Sequence, residues 1–368
     1  MIPDAVQRLV RALLDPPSTL NLSAREWNNL VLIGRNAGLL GRISTELKDR
    51  GLFHKVPQKA RAHLHAALIS AESDQTAIRF EVNRVVRALA TVDVQIVLLK
   101  GAAYLMADLP CARGRMLGDL DLMVPLERIE DVEQALIKSG WLPAELDDYD
   151  QRFYREWMHE IPPLQHPTRE TPIDLHHTIA PRTSRVRPDA KALIAAAVEL
   201  SAPRLSTLGP ADMVLHSAVH LFNDEVSKPL RDLFDLHQLL TEFGARAEFW
   251  NELMARAKLH GLGRPLYYAL RNTRRIFMTR VPSEIEKTAS QFAPAAPIGA
   301  VMDWIFIRGL MPSVGTEKDA ATACARWLLY VRSHWLRMPP FMLARHLAIK
   351  AMRQIGERLR RRPAEAPE

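Results

Sequence analysis

The feature that most constrains this chain is a double change of hydrophobic period between residues 92 and 124. Upstream, apolar residues recur at three and four positions, as in Val6, Leu9, Val10, Leu13 and Leu14, and later in Ile78, Val82, Val85, Val86 and Leu89, so residues 4–90 read as helical. Ser23-Ala-Arg-Glu26 has the form of a capping box and marks a helix start before Trp27. At Val92 the helical spacing stops. Val94, Ile96, Val97, Leu98 and Leu99 form a β-branched run that ends at Lys100-Gly101, which predicts a buried strand, a turn, and a helix over 102–107. A second strand is predicted over 119–124. Pro125 ends it, and a helix over 126–139 follows, with Glu127, Glu130 and Asp131 in its first turns and Gly140 as its stop.

A third strand candidate is Pro172-Ile-Asp-Leu-His-His-Thr-Ile179, approached through a polar hairpin or loop containing His166, Pro167 and Thr168. After Pro181 the pattern is helical again: Pro210 suits a first helical position, residues 213–222 and 230–240 predict a packed helix pair, and Gly244 ends the second helix. Residues 304–362 read as helical with a break at Pro339-Pro340, and the last helix places Phe341, Ala344, Ala348, Met352, Ile355 and Leu359 on one face. The expected organisation is a helical module over 1–90, a core over 91–182, a helical domain over 183–290 packing on the core, and a basic helical region with a disordered tail over 291–368.

Over 368 residues, 48% hydrophobic and 25% charged composition is that of a packed globular protein and excludes a disordered chain. Cys111 and Cys324 form neither a CxxC pair nor a disulfide framework, which points to a reducing, cytoplasmic setting. Charges interrupt the N-terminal apolar residues too soon for a signal-peptide core, and no stretch approaches the roughly 18 apolar residues of a membrane span. The net charge of +7 favours anionic partners. Much of it is local: between Arg326 and Arg362 there are ten Lys or Arg residues against one acid, Glu357.

The chemistry is concentrated in Arg115-Met-Leu-Gly-Asp-Leu-Asp-Leu-Met-Val124. Residues two apart on a strand share a face, so Asp119 and Asp121 set two carboxylates side by side while Leu120, Leu122 and Val124 point to the core. Adjacent buried carboxylates repel, and a divalent cation such as Mg²⁺, which takes one or two carboxylates plus substrate phosphates, would neutralise them. A bare DxD also occurs as two solvated aspartates at a strand end. The context here is a strand ending in Leu98-Leu-Lys-Gly-Ala-Ala103 upstream and Gly118 directly before the pair.

Together, LLKGAAYL, RMLGDLDLMV and PIDLHHTI resemble the polymerase-beta-like nucleotidyltransferase superfamily, and more closely the bacterial group of uncharacterised nucleotidyltransferases. The resemblance covers residues 91 to about 180 and implies an α+β fold, a small mixed sheet flanked by helical domains. It implies that Asp119 and Asp121 bind Mg²⁺ (or Mn²⁺) and that Asp174 is the third carboxylate, helping to activate an acceptor hydroxyl. The implied reaction is two-metal transfer of a nucleoside monophosphate, AMP from ATP, with release of pyrophosphate. Gly101 would let the backbone approach phosphates, as glycine-bearing turns do. The superfamily usually has Gly-Gly or Gly-Ser at this turn, whereas Ala102 follows Gly101 here, so a side-chain hydroxyl is missing. Lys100 can replace it as a point charge, or simply snorkel from the strand end; Arg115 can clamp a phosphate or pair with the carboxylates.

Other candidates are less specific. His216 and His220 share a helix face but lack the Glu of HExxH. His176 shares a strand face with Asp174, and Asp232 and Asp235 are placed to face the core or to form salt bridges. The basic C-terminus, with Trp335 and Phe341 beside its charges, suits a polyanionic acceptor, an acidic membrane surface, or a solvated helix face. The acceptor is undetermined: a small molecule, sugar, modified peptide or protein side chain would serve. The alternative to an enzyme is an inactive nucleotide-binding or partner-binding module that retains the fold.

Overall fold

The helical period before residue 92 resolves into four helices, Asp4–Leu14 (α1), Ala24–Asn36 (α2), Leu40–Asp49 (α3) and the long Gln58–Ala88 (α4). The structure is a computed structural model that describes residues 2–312 and 319–345, with Leu347, Ile349 and Met352. The capping box is present: the Ser23 backbone N–H donates to Glu26 Oε2 at 2.9 Å, and the Glu26 N–H donates to Ser23 Oγ at 3.4 Å. It satisfies two of the donors a helix start leaves open.

Seven strands, Ile96–Leu98 (β1), Leu120–Met123 (β2), Leu142–Pro143 (β3), Leu164–Gln165 (β4), Ile173–His176 (β5), Val198–Glu199 (β6) and Leu205–Thr207 (β7), form one mixed sheet in the order β3-β4-β5-β2-β1-β7-β6. β1 lies antiparallel to β2, while β2 with β5 and β1 with β7 are parallel. Parallel neighbours need a long crossover, and Ile129–Lys138 (α6) lies on the chain between β2 and β5. Lys100–Met106 (α5) follows β1 directly, so the expected helix begins two residues early, at Lys100 itself. The expected hairpin around His166 is the turn between β4 and β5, which pair antiparallel.

One expectation is corrected. The chain does not pass from Pro181 straight into helices: β6 and β7 form a hairpin that returns to the sheet beside β1. With two and three residues, those strands are too short to show a period. Short helices Asp148–Arg152 (α7) and Ala190–Ala195 (α8) occupy the connections. Pro210–Asn223 (α9) and Pro229–Phe243 (α10) are the expected pair, with Pro210 at the first helical position and Gly244 at the C-cap of α10. Ala247–Leu259 (α11), Gly263–Phe277 (α12), Ser283–Ala289 (α13), Ala296–Gly309 (α14) and Ala320–Arg337 (α15) follow, and residues 340–345 are helical again after the break at Pro339. Of the last helix expected after Pro340, Ala348, Ile355 and Leu359 lie outside the residues described. No helix among the described residues is long and apolar enough to cross a membrane.

The core is continuous from the helical module through the sheet into α9, α10 and α12. β2 is buried along its whole length, which is what a central strand covered on both faces requires. Placing Asp121 there with its side chain 2% exposed is costly unless the carboxylate is compensated locally.

Candidate active site

Register builds the site. In the parallel ladder Asp121 of β2 lies directly opposite Asp174 of β5, and parallel partners project to the same face. Asp119, two residues before Asp121, joins them just ahead of the strand, and the three offer carboxylate oxygens within 4.8 Å of one another. Their exposure is graded: Asp119 is open to solvent, Asp174 is half-buried and Asp121 is buried.

Each carboxylate has its own electrostatic setting. Burial would raise the pKa of Asp121, but Lys100, whose Nζ lies 2.8 Å from Oδ1, and a hydrogen bond from His176 hold it far below the usual carboxylate range. Asp174 has no such cation. Burial, followed by the charges of Asp121 and Glu160, pushes it up to about 7. Asp119 is raised as well, by desolvation and then by Asp121. Lys100 and His176 both contact Asp121, while Asp119 and Asp174 form no ion pair with Lys or Arg among the described residues, a setting in which a divalent cation would be favoured. Oxygen-only donors in this number suit Mg²⁺ or Mn²⁺.

Lys100 holds its position through an unusual backbone. Its φ is +45°, in the left-handed region that a side chain with a Cβ seldom adopts, at the sharp passage from β1 into α5. Its desolvation is outweighed by Asp121, so its pKa rises and it stays charged. Gly101 lines the cleft beside Lys100, and a Cβ there would come within 2.4 Å of Arg115 Nη1 and of Leu117 Cδ2, so a glycine at this turn also admits those two side chains.

Arg115 does not pair with Asp119 or Asp121. Its Nε donates to Asp235 Oδ2 at 2.9 Å, and Asp232 lies 3.9 Å from Nη2. Asp235 also accepts from Arg42 of α3, so one buried carboxylate ties the helical module, the loop before β2 and α10 together. A cleft of about 320 Å³ opens beside this network and the carboxylates; Lys100, Arg115, Asp119, Asp121, Arg231 and Asp232 are among the side chains that line it. Its size is within the range of small-molecule sites.

His220 lines the same cleft and lies 3.5 Å from Asp224, while His216 is buried and its pKa is depressed, mainly by burial and then by Lys100. Among the described residues they share no third metal-ligating partner. His176 is fully buried, with Nε2 3.0 Å from Asp121 Oδ1 and 3.5 Å from Glu160 Oε2. Glu160 and His159 were not foreseen. They sit on a segment that bridges to His176, and with it they form a second group whose ligand atoms lie within 4.8 Å. Nothing in the aromatic-rich stretch 153–159 relates them by spacing to Asp174.

Comparison with known proteins gives one result. A family model described as "Uncharacterised nucleotidyltransferase" matches residues 23–278, which contain the whole sheet and every residue of the carboxylate site. No curated protein and no solved structure matches the chain.

Proposed function

The chain belongs to the uncharacterised nucleotidyltransferase family, and from that premise we propose that it transfers a nucleoside monophosphate, AMP from ATP in the first instance, to a hydroxyl acceptor with release of pyrophosphate. The observation that carries this reading is the convergence of Asp119, Asp121 and Asp174 through the parallel register of β2 and β5.

In this reading the three carboxylates hold Mg²⁺ or Mn²⁺, which supplies charge neutralisation and Lewis acidity toward phosphate oxygens when bound. Asp121 is the fixed member, oriented by His176 and Lys100. Asp174, facing Asp119 and Asp121 and in no ion pair with Lys or Arg among the described residues, accepts the proton of the acceptor hydroxyl. Lys100 meets the triphosphate as a point charge, and Arg115, braced from behind by Asp235, contributes its guanidinium edge to the cleft. The acceptor oxygen bonds to the α-phosphorus, the bond from that phosphorus to the bridging oxygen breaks, and the pyrophosphate leaves with the electron pair.

The test uses an α-labelled nucleoside triphosphate, Mg²⁺ or Mn²⁺, and fractionated cell extract as the acceptor pool. Wild-type protein should transfer label, and the double variant Asp119→Asn, Asp121→Asn should not. Transfer that persists in the double variant would overturn the assignment.

A further inference from the structure

Helix α15 packs Ala325, Leu328 and Leu329 inward yet leaves a second apolar face uncovered. Ser333 and His334 are buried, while Trp327, at 61% exposure, Tyr330, Val331 and Trp335 face solvent. Trp327, Val331 and Trp335 are spaced by four residues and form one stripe, with Tyr330 at its flank.

The helix cannot roll to hide that stripe. On its inner side Arg332 donates to the Phe222 carbonyl and lies 5.6 Å and 5.7 Å from the rings of Tyr268 and Phe306. Its C-terminal end is held by the loop after β5, where Thr183 Oγ1 donates to the Arg337 carbonyl at 2.7 Å and the Arg185 N–H donates to that of Leu336 at 3.1 Å. Arg185 also places its guanidinium 4.4 Å from the centre of the Trp335 ring, setting a cation at the rim of the apolar stripe.

Beyond Pro339-Pro340 the same character continues: Phe341 is 82% exposed, and Leu347 and Met352 are exposed too. From Arg337 to Arg362 the sequence has eight basic residues, Arg337, Arg345, Lys350, Arg353, Arg358, Arg360, Arg361 and Arg362, against the single acid Glu357.

We propose that α15 and the segment that follows it dock this protein on an anionic lipid surface. Indole rings settle at headgroup level, aliphatic side chains reach the acyl boundary, and guanidinium groups meet lipid phosphates. Each alternative occupant satisfies half of the surface. A nucleic acid would meet the charges and leave Val331, Leu347 and Met352 without apolar partners. A second copy would cover the stripe and bring two like-charged segments together.

The experiment is co-sedimentation of the full chain with vesicles of phosphatidylcholine, with and without phosphatidylglycerol, alongside tryptophan emission. Binding should require phosphatidylglycerol, weaken as salt rises, and shift emission to the blue. Trp327→Ser with Trp335→Ser, and separately Arg358, Arg360, Arg361 and Arg362 all changed to Gln, should each weaken partition by at least about tenfold. Because Trp335 also carries the contact with Arg185, the first variant should melt within about 2 °C of wild type, and Trp327→Ser alone should melt like wild type. Four results would overturn the proposal: no partition into phosphatidylglycerol vesicles; partition that neither variant changes; a concentration-dependent dimer abolished by the tryptophan changes; and nucleic-acid binding in place of vesicle binding.

Discussion

Replacing Lys100 by Met removes the one lysine that faces Asp121 while keeping most of the side-chain volume. Opposite charges 2.8 Å apart attract by about 6 kcal/mol at an effective dielectric of ~20. The lysine also recovers hydration when freed, and 21% of its side chain is exposed to screening water, so the net loss is about 2–4 kcal/mol. For a chain of this size that corresponds to a fall in melting temperature of roughly 3–5 °C. The measurement is a thermal melt in chelator, repeated with Mn²⁺. Because the variant leaves Asp121 with His176 as its remaining partner beside Asp119 and Asp174, added Mn²⁺ should raise its melting temperature more than that of wild type, by the linkage between ligand binding and folding. Label transfer should fall in the same variant, since the triphosphate loses its point charge. A melting temperature in chelator within about 1 °C of wild type would refute the reasoning, as would equal stabilisation of both proteins by the metal.

Gly101→Ala should destabilise by about 1–3 kcal/mol through overpacking and displace Arg115, whereas Gly118→Ala, where an added Cβ meets nothing within 4 Å, should melt like wild type; similar losses in both would remove the packing account. Burial depresses the pKa of His237 from 6.5 to about 4, with Thr279 Oγ1 2.8 Å from its Nδ1. The unfolded chain therefore takes up this proton first. The stability that the neutral ring contributes is complete above pH 6.5 and is lost as pH falls through about 4, a span worth up to roughly 3 kcal/mol. His237→Gln should lose correspondingly less stability than wild type between neutral pH and pH 4 in denaturant titrations; parallel curves would show that another group sets this part of the acid sensitivity.

Legibility in the sequence followed the length of each signal. β1, β2 and β5 carry β-branched or alternating runs, so their positions could be read directly, while the grouping of Asp174 with Asp119 and Asp121 came from the resemblance rather than from spacing. β3, β4, β6 and β7 are two or three residues long, and their existence depends on neighbours supplied by the folded sheet. Asp235 was visible only as one of two helical aspartates. That it binds Arg42 and Arg115 together follows from the packing of three distant segments, which no local spacing encodes. Gly101 was read from its neighbourhood as a phosphate contact; it does line the cleft, and the packing of Arg115 and Leu117 against it could not be read from local spacing. The exposed apolar face of α15 was half legible: its tryptophans and arginines stand in the sequence, but the direction each faces is set by contacts with Phe222, Tyr268 and the 183–185 loop.

The return of β7 to the sheet bears on how this chain can be taken apart. A fragment excised at residues 91–182 would contain all three aspartates yet leave β1 with an open edge where Leu205–Thr207 belongs. Such an edge presents unpaired amides and carbonyls on an apolar strand, a template for joining other chains. Transplanting the carboxylate segment alone would therefore give an aggregating peptide, and any minimal unit must extend past residue 207.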